Sequence, residues 1–253
     1  MAKKQKEFKV PGKFQPFYTC FKPIMRLIFK KPEIINLAGD IPDKAIVIAN
    51  HSNKSGPPAL DLYYPKRTCK WGAYQMFGNY KSRYNYLRNI LYIQKCKASP
   101  RKATLVSPIL AVLNPMIYKG MRMMPSYPDA RLMQTIKNSS KVLDANMSVM
   151  IYPEDSNDGY KDVLTGLFPG FVMLAEKYYR TTGEDAPIIP VYYCIKKRIM
   201  IIDKPVYMQE YVKQGLDRYQ IAEEFKVKLN DLYFKYVENY DPKKAKKEKK
   251  KSK

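Results

Sequence analysis

The chain holds a single histidine, His51, and any reaction that needs an imidazole must use it. His51 follows Asn50 at the end of the apolar run Ile46-Val47-Ile48-Ala49, and Lys54 and Gly56-Pro57-Pro58-Ala59-Leu60-Asp61 come after it. A histidine just past a short buried strand is placed for general acid–base chemistry, because the carboxyl edge of an open α/β sheet is where ligands bind. A second polar cluster, Glu154-Asp155, follows the apolar run Ser148 to Tyr152 and Pro153 in the same way.

The elements that position these residues are legible from their periods. Ala45 to Ala49 is too short and too β-branched for a helix and fits a buried parallel strand. Residues 68 to 77, the segment after Gly120, Ser148 to Tyr152, Pro187 to Tyr193 and Arg198 to Ile202 with Val206 read as further strands. Helical spacing falls at Pro57 to Tyr64, within Asp129 to Asp144, from about Phe171 to Arg180 and over Ala222 to Tyr236. Strands alternating with helices predict a single α/β domain with a mixed, mainly parallel central sheet flanked by helices. We place that domain at 35–240, with an insertion over about 78–119. Within the insertion the uncharged run Ala103 to Tyr118 is shorter than the ~20 residues of a bilayer span. Pro108 and Pro115 interrupt it and predict a buried helical hairpin; the other reading is a segment that dips into one leaflet or caps an acyl tunnel.

Composition bounds the partners. The 253 residues carry a formal net charge of +23, so the protein meets something anionic: nucleic acid, a phospholipid surface or a phosphorylated metabolite. Residues 1–34 are basic, and within them Phe14 to Pro32 interleaves Phe17, Phe21, Ile24, Leu27 and Ile28 with Lys22, Arg26, Lys30 and Lys31. That pattern suits a helix lying in a membrane interface, or an amphipathic helix packed on its own domain. The lysine-rich tail, 241–253, reads as disordered. Four scattered cysteines and one histidine make no zinc set, and no metal is expected. The cysteines read as small core residues in a reducing cytosol, and MAKKQKEFK lacks a signal-peptide core, so secretion is not expected.

The order NH…GPPAL, MIYPE, GLFPGFVMLA, APIIPVYY and DKPV resembles the glycerolipid acyltransferase family that includes 1-acylglycerol-3-phosphate acyltransferases, over about residues 35–210. The resemblance implies that the histidine of an NHxxxxD motif is a general base. It would take the proton from a lysophospholipid hydroxyl, which attacks the thioester of acyl-coenzyme A or acyl carrier protein. Neither donor is a bound cofactor; each is a co-substrate. Asn50-His51 matches the first half of that motif, whereas the aspartate position falls on Gly56. The family's third motif, roughly FPEGTRS, is Tyr152-Pro153-Glu154-Asp155-Ser156-Asn157-Asp158 here. The position of its phosphate-binding arginine after Gly120 falls on Ser126, and a lysine common later in the pattern is Pro169.

These departures define the candidate site. A carboxylate on the far ring nitrogen fixes the imidazole tautomer and stabilises imidazolium, which glycine cannot do. His51 and Glu154 are the candidate catalytic pair, with Asp155 and Asp158 as further stand-ins for the missing aspartate; Asp61 lies more than a helical turn beyond Gly56. Glu154 has a second reading, as a residue that orders the His51 loop. Asn50, Lys54, Arg122, Arg131 and Lys161 are the candidate substrate-binding residues, Lys54 first because it sits in the loop itself. Three functions follow: a peripheral acyltransferase on the cytosolic membrane face, acting on a lysophospholipid at an anionic membrane surface; a degenerate member that binds lipid or acyl chains without turnover; and a basic nucleic-acid-binding protein. No nucleic-acid motif accompanies the charge, so nucleic acid ranks last.

Overall fold

The apolar runs become the strands of one twisted sheet. The computed structural model describes residues 8–12 and 15–242, so the expectations for the first residues and the lysine tail fall largely outside the described residues. In chain order the strands are β1 (Glu33–Asn36), β2 (Ile46–Ala49), β3 (Thr68–Ala73), β4 (Met123–Ser126), β5 (Ser148–Ile151), β6 (Ile188–Cys194) and β7 (Ile199–Ile202). They lie in the order β1-β7-β6-β2-β5-β3-β4, parallel at every junction except β6 with β7. The expected mixed, mainly parallel α/β sheet is therefore present. β1 is an element the periodicity did not single out, and Val206 forms an isolated bridge with Ile188 instead of a full strand.

β2, β5, β6 and β7 are buried along their whole length. Successive residues alternate between two cores: Ile46, Ile48, Val149 and Ile151 face one, and Val47, Ala49, Met150 and Val191 face the other. Burial on both faces is why these strands read as continuous apolar runs instead of alternating ones. The helices are α1 (Pro16–Ile28), α2 (Gly56–Tyr63), α3 (Tyr80–Asn85), α4 (Pro100–Gly120), α5 (Leu132–Asp144), α6 (Gly170–Thr182), α7 (Met208–Val212) and α8 (Arg218–Leu232).

The insertion corrects one expectation. Ala103 to Tyr118 is not a hairpin but the body of α4, one continuous helix containing both prolines. A proline removes the hydrogen bond to the carbonyl four residues earlier, which usually breaks a helix. For Pro115 that carbonyl is Ala111 O, and it accepts a hydrogen bond from Arg83 Nε at 2.7 Å. The insertion has its own small core of Met76, Leu87, Tyr92, Ala103 and Ala111. Between α3 and α4 the chain runs through a π-helical stretch, Tyr86–Lys95.

α1 docks through Tyr18, whose ring lies so close to Gly120 that a Cβ there would sit 2.2 Å from it. Near Tyr18 is a buried ion pair, Lys70 Nζ to Asp61 Oδ1 at 2.6 Å, with both side chains at most 3% exposed. Asp61 is thus committed to the domain interior, in keeping with its low rank as a partner for His51. Burial pushes its carboxyl up, but the Lys70 charge and hydrogen bond outweigh this and leave it below the ordinary value of 3.8. A group depressed on folding stabilises above its unfolded pKa, and that contribution is lost as pH falls through the lower folded value. Lys70→Met should strand the buried carboxylate at a cost of about 3–5 kcal/mol, measured by denaturant melts at neutral pH. The deficit should shrink as pH falls, beginning above pH ~3.8, where burial without Lys70 makes Asp61 take a proton in the folded variant, and ending below it, where Asp61 takes one in folded wild type.

Candidate functional site

Five parallel strands bring their carboxyl ends to one edge of the sheet, and β2 lies next to β5 there. This adjacency joins two segments 103 residues apart. Glu154 Oε2 accepts a hydrogen bond from the His51 backbone N–H at 3.0 Å and lies 3.3 Å from His51 Nδ1. Among the described residues Glu154 is the only carboxylate hydrogen-bonded to His51. With Nδ1 protonated and donating to Glu154, Nε2 is left as the free basic nitrogen. Glu154 is buried, whereas the His51 side chain is about a fifth exposed, so one partner is held in the protein and the other is reachable.

The loop carrying His51 is held from several sides. Asn50 is buried and pairs with Tyr193 of β6, donating to its carbonyl at 2.9 Å and accepting from its N–H at 2.7 Å. Ser52 Oγ accepts from the Ile195 N–H at 3.0 Å. Ser52 and Asn53 both have positive φ, 42° and 63°, a conformation that costs non-glycine residues energy and persists where surroundings impose it. Asn53 Oδ1 accepts from Cys96 Sγ of the insertion at 3.2 Å. The imidazole itself lies between Tyr152 and Tyr160, with ring centroids at 5.1 and 4.9 Å. Burial raises both phenols well above their ordinary values, so they act as neutral walls.

Gly56 sits in a tight turn. Its N–H donates to His51 O at 2.6 Å as the chain folds back on itself. A Cβ at this position would stand 2.3 Å from His51 O, 2.7 Å from His51 C and 2.9 Å from Asn50 O. A Cβ in this turn meets backbone atoms, so packing disfavours an aspartate here, and the carboxylate that lies beside His51 is that of Glu154.

The remaining candidates divide by place. Lys54 lies at the site, its ammonium 4.5 Å from the centre of the Tyr92 ring of the insertion. Asp155 sits beside Glu154 but its Oδ1 accepts from the Asn157 N–H; Asp158 and Lys161 are exposed on the same segment. Arg122 is elsewhere: it precedes Met123 at the amino-terminal end of β4, the opposite edge of the sheet from His51. Arg131 is at the right edge but beyond β4, three strands from β2, roughly 14 Å away. It forms an ion pair with Asp129 and stacks over Tyr74 and Tyr127. The structure therefore brings Asn50, His51, Lys54 and Glu154 together and leaves both arginines outside. Of the cysteines, Cys69 and Cys194 are buried as expected, whereas Cys20 is exposed and Cys96 reaches the His51 loop.

The chain is thus a single α/β domain with a mainly parallel seven-stranded sheet, a histidine loop after one strand and a Pro-Glu turn after its neighbour. Among solved structures it is similar to the 1-acyl-sn-glycerophosphate (LPA) acyltransferase PlsC from Thermotoga maritima. The TM-score is 0.50 and the identity 13%, over 90% of this chain and 86% of that one. No family model and no curated protein matches the chain.

Proposed function

We propose that this protein is an acyltransferase that moves a fatty acyl group from a thioester donor, acyl-coenzyme A or acyl carrier protein, to the hydroxyl of a lysophospholipid such as lysophosphatidic acid. The observation that carries the reading is the Glu154–His51 contact at the carboxyl edge of a PlsC-like sheet. In this mechanism His51 Nε2 takes the hydroxyl proton as the oxygen attacks the thioester carbonyl, and Glu154 stabilises the imidazolium that forms. The tetrahedral adduct then collapses, the C–S bond breaks, and His51 returns the proton to the departing thiolate. Purified protein with acyl-coenzyme A should release thiol only when lysophosphatidic acid is added, with acylated product in equal amount. Absence of acceptor-dependent release with either donor would overturn the reading.

The same reading places the protein peripherally on a membrane, on the cytosolic face. Among the described residues no helix is long and apolar enough to cross a bilayer. α4 nevertheless presents an apolar face, with Leu105 74%, Ile109 62% and Val112 65% exposed. These residues recur at helical spacing, and Ile24, Leu27 and Ile28 do the same on α1, which packs against α4. Lys22, Arg26, Arg101, Lys102 and Lys119 accompany them, and each basic residue near an anionic leaflet contributes about 1 kcal/mol. Burying each exposed aliphatic side chain contributes up to ~1.5–3 kcal/mol. The triple change Leu105→Ser, Ile109→Ser and Val112→Ser should therefore weaken flotation with phosphatidylglycerol-containing vesicles on the order of a hundredfold or more. Equal flotation of the two proteins would remove α4 from the membrane-facing surface.

A further inference from the structure

The insertion, which corresponds to none of the motifs in the resemblance, reaches both the His51 loop and the segment after Glu154. Besides the Cys96–Asn53 contact, the Tyr160 N–H donates to Lys95 O at 3.2 Å and Gln94 Nε2 donates to Asn157 O at 3.2 Å. Gly159, at φ +101°, permits this approach: a Cβ there would lie 3.1 Å from Lys97 Cε and 3.2 Å from Lys95 O. The end of the π-helical stretch is thus seated on the segment that follows Glu154.

Two ammonium groups come with it. Lys95 Nζ lies 6.0 Å from the centre of the Tyr160 ring, the same ring that packs on His51, and Lys54 Nζ lies over Tyr92 of the insertion. Among the described residues neither lysine makes an ion pair with a carboxylate. Glu154 Oε2 is engaged by His51 and Asp155 Oδ1 by Asn157, and neither carboxylate contacts a lysine ammonium. Lys95 is half-buried, and burial lowers its pKa while Glu154 and Asp155 pull in the other direction. The two carboxylates act on Lys95 without contacting it and do not offset its burial, a cost that an anion bound directly to the ammonium would relieve.

Resting on the acyltransferase reading, we infer that Lys95 of the insertion and Lys54 of the His51 loop form the binding site for a substrate phosphate ester, in the place of the arginines that lie outside the site. The phosphate belongs either to the lysophospholipid acceptor or to the nucleotide part of the acyl donor; both present a phosphomonoester to the same two lysines. Lys54 lies three residues from His51, and Lys95 shares Tyr160 with it, so a phosphate held there stays beside the base.

The test measures binding, so that it does not depend on turnover. Lysophosphatidic acid and monoacylglycerol of the same chain length, in uncharged detergent micelles, are titrated against wild type, Lys95→Met, Lys95→Arg and Lys54→Met. Acyl-coenzyme A and acyl-pantetheine are titrated in parallel. Loss of a charge-assisted contact should weaken a phosphate-bearing ligand roughly tenfold to hundredfold in each methionine variant, with the phosphate-free analogue unmoved and Lys95→Arg largely restored. Selective loss of lysophosphatidic acid assigns the phosphate to the acceptor; selective loss of acyl-coenzyme A assigns it to the donor. Unchanged affinity for both phosphate ligands in Lys95→Met, with thermal melting as in wild type, overturns the inference even where wild type turns over. Selective loss of affinity in a protein that does not turn over keeps the phosphate site and overturns the acyltransfer reading instead.

Discussion

His51→Ala should lower the rate of acyl transfer by roughly 10²–10⁴-fold, because the hydroxyl nucleophile then has to lose its proton without a positioned base. The loop need not collapse: the Asn50–Tyr193 pair, the Ser52–Ile195 bond and the Gly56–His51 turn use groups that survive the substitution. Thermal melting close to wild type would accordingly accompany the loss of rate. Glu154→Gln should take a large part of the same loss. Glu154 Oε2 accepts from the His51 backbone N–H and lies beside Nδ1, and an amide cannot supply both that acceptor and its negative charge. If the amide nitrogen faces the ring it donates to Nδ1, which moves the ring proton to Nε2 and removes the base. If the amide oxygen faces the ring, both hydrogen bonds survive but the charge that stabilises imidazolium is gone. Steady-state assays should show the fall in kcat with little change in KM for the acyl donor. A Glu154→Gln enzyme as fast as wild type would reduce Glu154 to a residue that only orders the loop.

Gly56→Asp writes the resembled family's aspartate into the chain and should damage it. The backbone angles at Gly56, φ −57° and ψ −58°, suit any residue, so the obstacle is space alone. The added Cβ meets backbone atoms of His51 and Asn50, which have no rotamer to move into. Overpacking of this kind typically costs about 1–3 kcal/mol and occasionally more, and contact with backbone places the expected loss at about 3 kcal/mol or beyond. At roughly 2–4 °C per kcal/mol for a domain of this size, Tm should fall by about 6–12 °C. Gly56→Ala separates space from charge, since it carries the same Cβ and should lose similar stability. Relief of the clash requires the His51 carbonyl to shift, which disturbs the imidazole, so activity should fall with stability. A Gly56→Asp variant that melts like wild type and turns over faster would show that the loop has a second conformation and that Glu154 is a weak substitute.

Much of the framework was legible in the chain. The runs at Ile46, Ser148, Pro187 and Arg198 are short, apolar and β-branched, and strand formation at such runs is settled by local composition and burial on both faces. His51 and Glu154 were each readable as polar residues just past a strand end, and the order of the motifs pointed to one fold. The distance of the two arginines from His51 is a matter of scale. Arg122 and Arg131 stand only nine residues apart in the chain, but β4 and the turn after it carry one to each edge of the sheet. The single helix through Pro108 and Pro115 was also out of reach, because the acceptor freed by Pro115 is satisfied by Arg83, from a different helix.

The sequence by itself determined the buried strands β2, β5, β6 and β7, the lone imidazole at a carboxyl end and the cationic character of the chain, since each follows from composition or from residues adjacent in the chain. Only the tertiary structure decided which carboxylate meets His51, because that depends on β2 lying beside β5. It also decided that Gly56 lies in a turn where a Cβ would meet backbone atoms. It brought Lys95 of the insertion to the ring that packs on His51. Those three results depend on pairings between segments far apart in sequence, which no local pattern encodes.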